Sequence, residues 1–171
     1  MGENGDLEKR QAVRSPMQWT GGKHGGFSRA PAGRLVAAPP SDGYAPEHVN
    51  VEAQMHEPDS LLRTMEGFIR RFRSSPEIGW GRFELLDVGE PAVIAHRITE
   101  DHLRFVALHN FAPRPVRVTL ELGRQPDGSL LSDLFTVGTD GIDERGRVDV
   151  ELDAYGYRWF RVLAPGDRRL T

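Results

Sequence analysis

The sequence contains no cysteine, which removes disulfides, thiolate zinc sites and cysteine nucleophiles from consideration. It has little excess of either charge: 22 Lys and Arg face 25 Asp and Glu, a formal net charge of −3. Without a basic surplus there is no electrostatic ground for binding a phosphate backbone, and no nucleic-acid partner is expected. Long hydrophobic runs are also missing. No stretch approaches the roughly 18 apolar residues of a transmembrane helix, and Met1-Gly2-Glu3-Asn4-Gly5-Asp6 lacks the basic and apolar regions of a signal peptide. The expectation is a soluble, cytoplasmic chain with no membrane partner. What is present is 171 residues, 38% of them hydrophobic, with 19 Gly and 12 Pro. That length suits one ordinary domain burying roughly 70% of its unfolded surface, or a small domain with a piece of another.

Gly and Pro punctuate the first third of the chain, where Gly21-Gly22, Gly25-Gly26 and Pro39-Pro40 stand as doublets and no apolar period of 2 or 3.6 persists. Such a segment reads as irregular loop. A loop of this length is uncommon in a compact domain. It nevertheless carries Met17, Trp19, Phe27, Leu35, Val36, Tyr44 and Val49, which a disordered linker would lack, so it is expected to pack. One helix is predicted over 58–75, where Leu61, Leu62, Met65, Phe68, Ile69 and Phe72 make one apolar stripe. Pro58 and Asp59 suit its first turn, and Arg70, Arg71 and Arg73 read as a solvated C-terminal end. From Ile78 onward the period changes to 2. Segments 92–98, 103–111, 114–122, 130–136, 147–153 and 157–163 read as strands, with 82–87 a seventh. Val116, Val118, Leu120 and Leu122 alternate with Arg117, Thr119 and Glu121, as an antiparallel sheet with one wet face requires. The predicted fold class is mainly β, an antiparallel β-sandwich preceded by a long loop and one amphipathic helix.

Taken residue by residue, the chain offers little chemistry. Gly21-Gly22-Lys23-His24-Gly25-Gly26 has the composition of a phosphate loop without its spacing or a Ser/Thr after the Lys. The histidines, at positions 24, 48, 56, 96, 102 and 109, show no metal-ligand spacing. Asp140-Gly141-Ile142-Asp143-Glu144 lacks the order of a calcium loop and reads as a solvated turn. Glycoside hydrolysis needs two carboxylates, roughly 5–5.5 Å apart in a retaining enzyme. The candidates outside the strands, Glu3, Asp6, Glu8, Asp42, Glu47, Glu52, Glu57 and Asp59, are not paired by spacing. No catalytic residue, metal site or cofactor is assigned.

The order of several short motifs is more informative. Arg14-Ser15-Pro16-Met17-Gln18-Trp19 is followed by Gly25-Gly26-Phe27-Ser28, then Val49-Asn50-Val51-Glu52-Ala53-Gln54 and Asp59-Ser60-Leu61-Leu62. Pro76-Glu77-Ile78-Gly79-Trp80-Gly81 and Tyr155-Gly156-Tyr157-Arg158-Trp159-Phe160 complete the series. Together they resemble the α-glucosidase-like members of glycoside hydrolase family 13, the α-amylase superfamily, nearest to the trehalose synthase branch and its α-amylase-like relatives.

The resemblance implies a C-terminal segment of a (β/α)8-barrel enzyme with its antiparallel sandwich of Greek-key type, domain C. Residues 1–77 would be the end of the barrel, the loop after its eighth strand plus the helix at 58–75, and residues 78–171 the sandwich. The family's catalytic carboxylates lie on earlier strands, so the chain alone is expected to be inert. Its parent would be a retaining enzyme acting on maltose or α-glucans; an α-glucosidic sugar is the expected partner only in the context of a complete barrel, and association with a separately encoded barrel is a separate alternative. Arg10 occupies the spacing of an arginine that closes the sugar pocket in this family, and is the single substrate-binding candidate, in a full-length parent only. A loop arginine beside Glu8 and Lys9 is its plainer reading. Tyr155, Tyr157, Trp159 and Phe160 fit either a core strand or a sugar-stacking surface, the latter serving a stand-alone carbohydrate-binding or regulatory module.

Overall fold

The computed structural model describes residues 14–167, and the chain divides into two compact units, Met1–Phe68 and Ile69–Thr171. The first unit is a loop closed on itself by side-chain contacts. Gln18 donates through Nε2 to the carbonyls of Tyr44 (2.9 Å) and Val49 (2.7 Å), while its own carbonyl accepts from the N–H of Val51. Trp19 and Thr20 both donate to the carbonyl of Gly25, which reverses the chain over Gly21–Gly26. Gly25 has φ +63, and a Cβ there would stand 3.3 Å from the Cα of Gln18, so the position suits glycine twice over.

Helix α1 (Val51–His56) begins at Asn50, whose Oδ1 accepts from the N–H of Ala53 at 2.8 Å and whose Nδ2 donates to the carbonyl of Pro46. Helix α2 (Leu61–Arg73) starts three residues later than its sequence pattern predicts. Ser60 is the reason: its Oγ accepts from the N–H of Arg63 and donates to the carbonyl of Gln54, and Gln54 Oε1 accepts from the N–H of Leu62. Leu61, Met65, Ile69 and Phe72 on its apolar stripe are all exposed. Ser74 and Ser75 end it through bonds to the carbonyls of Arg70, Arg71 and Phe72.

After a single turn of helix, α3 (Glu77–Trp80), the second unit is built from antiparallel strands: β1 (Arg82–Leu86), β2 (Val93–Glu100), β3 (Leu103–Asn110), β4 (Val116–Glu121), β5 (Leu130–Asp133), β6 (Thr139–Gly141), β7 (Arg147–Leu152) and β8 (Tyr157–Leu163). Six of them form one sheet in the order β1-β2-β3-β8-β5-β6, and β4 pairs with β7 as a ribbon. The sandwich predicted from the sequence is therefore present. Its seven expected strands are found, and β6, which the sequence presents as turn, is an eighth. This strand is short, exposed along its length and carries a glycine, so no alternating pattern marks it. β5 ends earlier than the predicted 136 because Asp133 Oδ1 accepts from the N–H groups of Phe135 and Thr136 and turns the chain.

The core lies between the ribbon and one face of the six-stranded sheet. Val116, Val118, Leu120, Val148, Val150 and Leu152 from the ribbon meet Val93, Ala95, Val106, Leu108, Leu131, Phe160 and Val162 from the sheet. Ile98, Phe105 and Ala107 on the opposite face form a smaller cluster with Ile78, Leu134 and Trp159.

Candidate functional site

The motif side chains are used mainly to hold backbone. Gln18, Asn50, Gln54 and Ser60 donate to or accept from main-chain groups of the first unit. In the second unit Glu77 is fully buried, and its Oε1 accepts from Arg161 Nε at 2.9 Å and from the Arg161 terminal nitrogen at 2.8 Å. The same guanidinium donates to the carbonyl of Ser74 and to Ser75 Oγ. This cluster ties the end of α2 and the start of α3 to the middle of β8. Gly81 follows from that closeness: a Cβ would stand 2.6 Å from both the carbonyl oxygen of Glu77 and Ile98 Cγ2. A buried pair 84 positions apart in sequence leaves no local signal, and sequence reasoning missed it.

Asp133, also buried, is held by Arg158 Nε at 2.6 Å, and the guanidinium carbon of Arg158 lies 4.9 Å from the ring centre of Phe160. Both buried carboxylates are thus paired with arginines. Asp42, Glu47, Glu52, Glu57 and Asp59 lie along the first unit, and among the described residues none of them forms an ion pair. Glu3, Asp6, Glu8 and the substrate-binding candidate Arg10 lie outside the described residues. An open groove of about 510 Å³ runs between Gly21–His24 and Pro39–Glu47 in the first unit. His24 and Asp42, on its two sides, both take a left-handed backbone. The glycine-rich stretch forms one wall of this groove, and Gly25 N–H donates to the carbonyl of Gly22. Among the described residues no three His, Asp or Glu side chains gather as a metal site.

The outer face of the six-stranded sheet is aromatic. Phe83, His96, Phe105, His109, Tyr157, Trp159 and Phe135 make a continuous row of ring contacts, with centroids 5.2–6.4 Å apart. Burial pushes His109 below the usual imidazole range, and burial together with the neighbouring His109 does the same to His96. Of the four aromatic residues in the final motif, Phe160 is fully buried in the core. Trp159 packs edge-on against Phe105 and Phe135, while Tyr155 and Tyr157 are exposed.

Solved structures of sugar-converting enzymes share this fold. An isomaltulose synthase from Erwinia rhapontici, crystallised with sucrose, superposes on 91% of this chain with a TM-score of 0.61 at 18% identity, over 26% of its own length. Residues 103–161 match the family described as sucrose hydrolase-like, C-terminal domain. The second unit is therefore a C-terminal β domain of the glycoside hydrolase family 13 class. A trehalose synthase from Pimelobacter is 34% identical over 96% of the chain, and a trehalose synthase/amylase from Mycobacterium tuberculosis is 30% identical over 96%. The chain belongs to the trehalose synthase-like proteins of that family and matches their C-terminal part. It spans about 30% of the length of these relatives. Among the described residues no helix is long and apolar enough to cross a membrane.

Proposed function

We propose that this chain supplies the closing loop and the domain C sandwich of a retaining enzyme acting on maltose or α-glucans, trehalose synthase-like or α-amylase-like, and that it works in the cytoplasm. Residues 1–77 are then barrel and residues 78–171 sandwich. One observation carries the reading. The polar motif residues Gln18, Asn50, Gln54, Ser60 and Glu77 fix backbone or fill a buried ion pair, the work of a scaffold. The exposed stripe Leu61, Met65, Ile69 and Phe72 supports association with a barrel encoded separately. Catalytic carboxylates come from that barrel, and Arg10 reaches its sugar pocket.

Glucose release and glucosyl transfer from maltose test this directly. The chain alone should give neither, and addition of a trehalose synthase barrel lacking its own C-terminal part should restore transfer. Turnover by the chain alone, or failure of the two parts to co-purify, would overturn the reading. Arg10→Ala should weaken maltose use only in the reconstituted pair.

A further inference from the structure

Two histidines stand in the middle of the aromatic row on the outer sheet face. The rings of His96 on β2 and His109 on β3 are 6.3 Å apart between centroids and within 4° of parallel. Phe83 from β1 stacks on His96 at 5.2 Å, and Tyr157 from β8 stacks on His109 at 6.4 Å. Phe105 lies 6.0 Å from His96. Both imidazoles are half-buried.

Among the described residues no counter-charge serves them. The strand pairing puts Leu85 and Ala107 on either side of His96, and Ile94 and Tyr157 on either side of His109. The charged residues nearest in these strands, Glu84, Arg97 and Arg158, alternate to the other face, where Glu84 pairs with Arg97 and Arg158 with Asp133. On the outer face Arg161 from β8 is locked to Glu77 of α3, and Arg71 of α2 donates to the carbonyl of Leu134 and covers Phe135. Asp87, just past β1, accepts from the N–H of Gly89, and Glu100 lies at the far end of β2. Among the described residues no carboxylate is within ion-pair distance of either histidine.

We propose that the His96–His109 pair is an acid-sensitive latch on this face: neutral, it completes an uncharged aromatic row, and protonated, it loosens β1 and β2 from the rest of the sheet. Two like charges at this separation, half-buried and with no carboxylate beside them among the described residues, repel by more than thermal energy. The repulsion acts across the β2–β3 pairing, and the β1–β2 side yields, because β1 is an edge with one neighbour and its outward residues Phe83 and Leu85 are exposed. The sign follows from the proton balance. The unfolded chain takes up protons on these rings near pH ~6.5, whereas the folded face resists them, so stability falls as pH drops below that value. The same protonation changes what the face can pack against, since its apolar surface becomes cationic. The latch is independent of the sugar chemistry proposed above.

The test uses the 171-residue chain. Imidazole ring-proton NMR titration should show His96 and His109 titrating below the exposed histidines of the same chain. Thermal unfolding followed from about pH 7 to about pH 5 should show a fall in Tm that is at least halved in the double variant His96→Phe, His109→Phe. His96→Gln, neutral at every pH in this range, gives a second variant if the ring replacements fold poorly. Titration of both imidazoles at or above the exposed histidines would overturn the proposal. So would an unchanged fall in Tm in a folded variant.

Discussion

The two faces of the six-stranded sheet solve the same problem differently. The inner face is aliphatic and is closed by the β4–β7 ribbon, so that Val106, Leu108, Leu120 and Phe160 are completely buried. The outer face is aromatic and is covered toward α3 and Arg71, where Phe105 and Ala107 are buried, while Phe83, Leu85 and Ile94 farther across it are exposed. A face the chain closes itself is uniform in chemistry. A face it leaves half open mixes rings, histidines and one buried ion pair. The difference teaches where stability resides and where the molecule has surface to offer.

The largest expected effect lies at the join between α3 and the outer face. Arg161→Met leaves the carboxylate of Glu77, which is 0% exposed, without its partner. Removing one member of a buried pair costs about 3–5 kcal/mol, and urea unfolding should show a loss of that size. The double variant Arg161→Met, Glu77→Leu should recover most of it, since an apolar pair of similar volume needs no counter-charge. Recovery would show that the pair sets geometry rather than net stability. Inside the closed face, Leu120→Ala removes a side chain that is 0% exposed and should cost about 3 kcal/mol, read in the same unfolding curve. Gly81→Ala should cost about 2 kcal/mol, because the new methyl meets the Glu77 carbonyl and Ile98 at 2.6 Å. A neutral result there would mean that α3 sits less tightly on the sheet than its backbone distances require.

The inner face was legible in the sequence and the outer face was not. Alternation in 116–122 and 147–153 marks the ribbon, because a face buried once and wet once writes its period directly into the residues. On β3 the pattern blurs, since Phe105, Val106, Ala107 and Leu108 are buried in succession between two covered faces. Nothing local could couple Glu77 to Arg161, or His96 to His109, because strand order and register create those neighbours. The loop before the sandwich was legible in a third way. Its motifs could be quoted, yet their work, Gln18 holding Tyr44 and Val49, appears only when the carbonyls are in place. Helix α2 was read with its stripe correct and its start wrong, because the cap comes from Ser60 while Pro58 and Asp59 form the preceding turn.

The smallest effect is the one that separates the two faces most cleanly. Phe83 is 59% exposed on edge strand β1, stacked on His96. If the outer face is open, Phe83→Ser forfeits little more than one ring contact, and the cost should stay near 1 kcal/mol or below. Self-association measured by light scattering should fall in the same variant, because the change removes exposed apolar area from a face carrying Leu85 and Ile94. A cost equal to that of Leu120→Ala would mean that something covers β1 as fully as the ribbon covers the core. Measured beside the pH series, the variant also isolates the latch. With its flanking ring gone, His96 gains water, and the drop in Tm toward acid should shrink even though no histidine has been replaced.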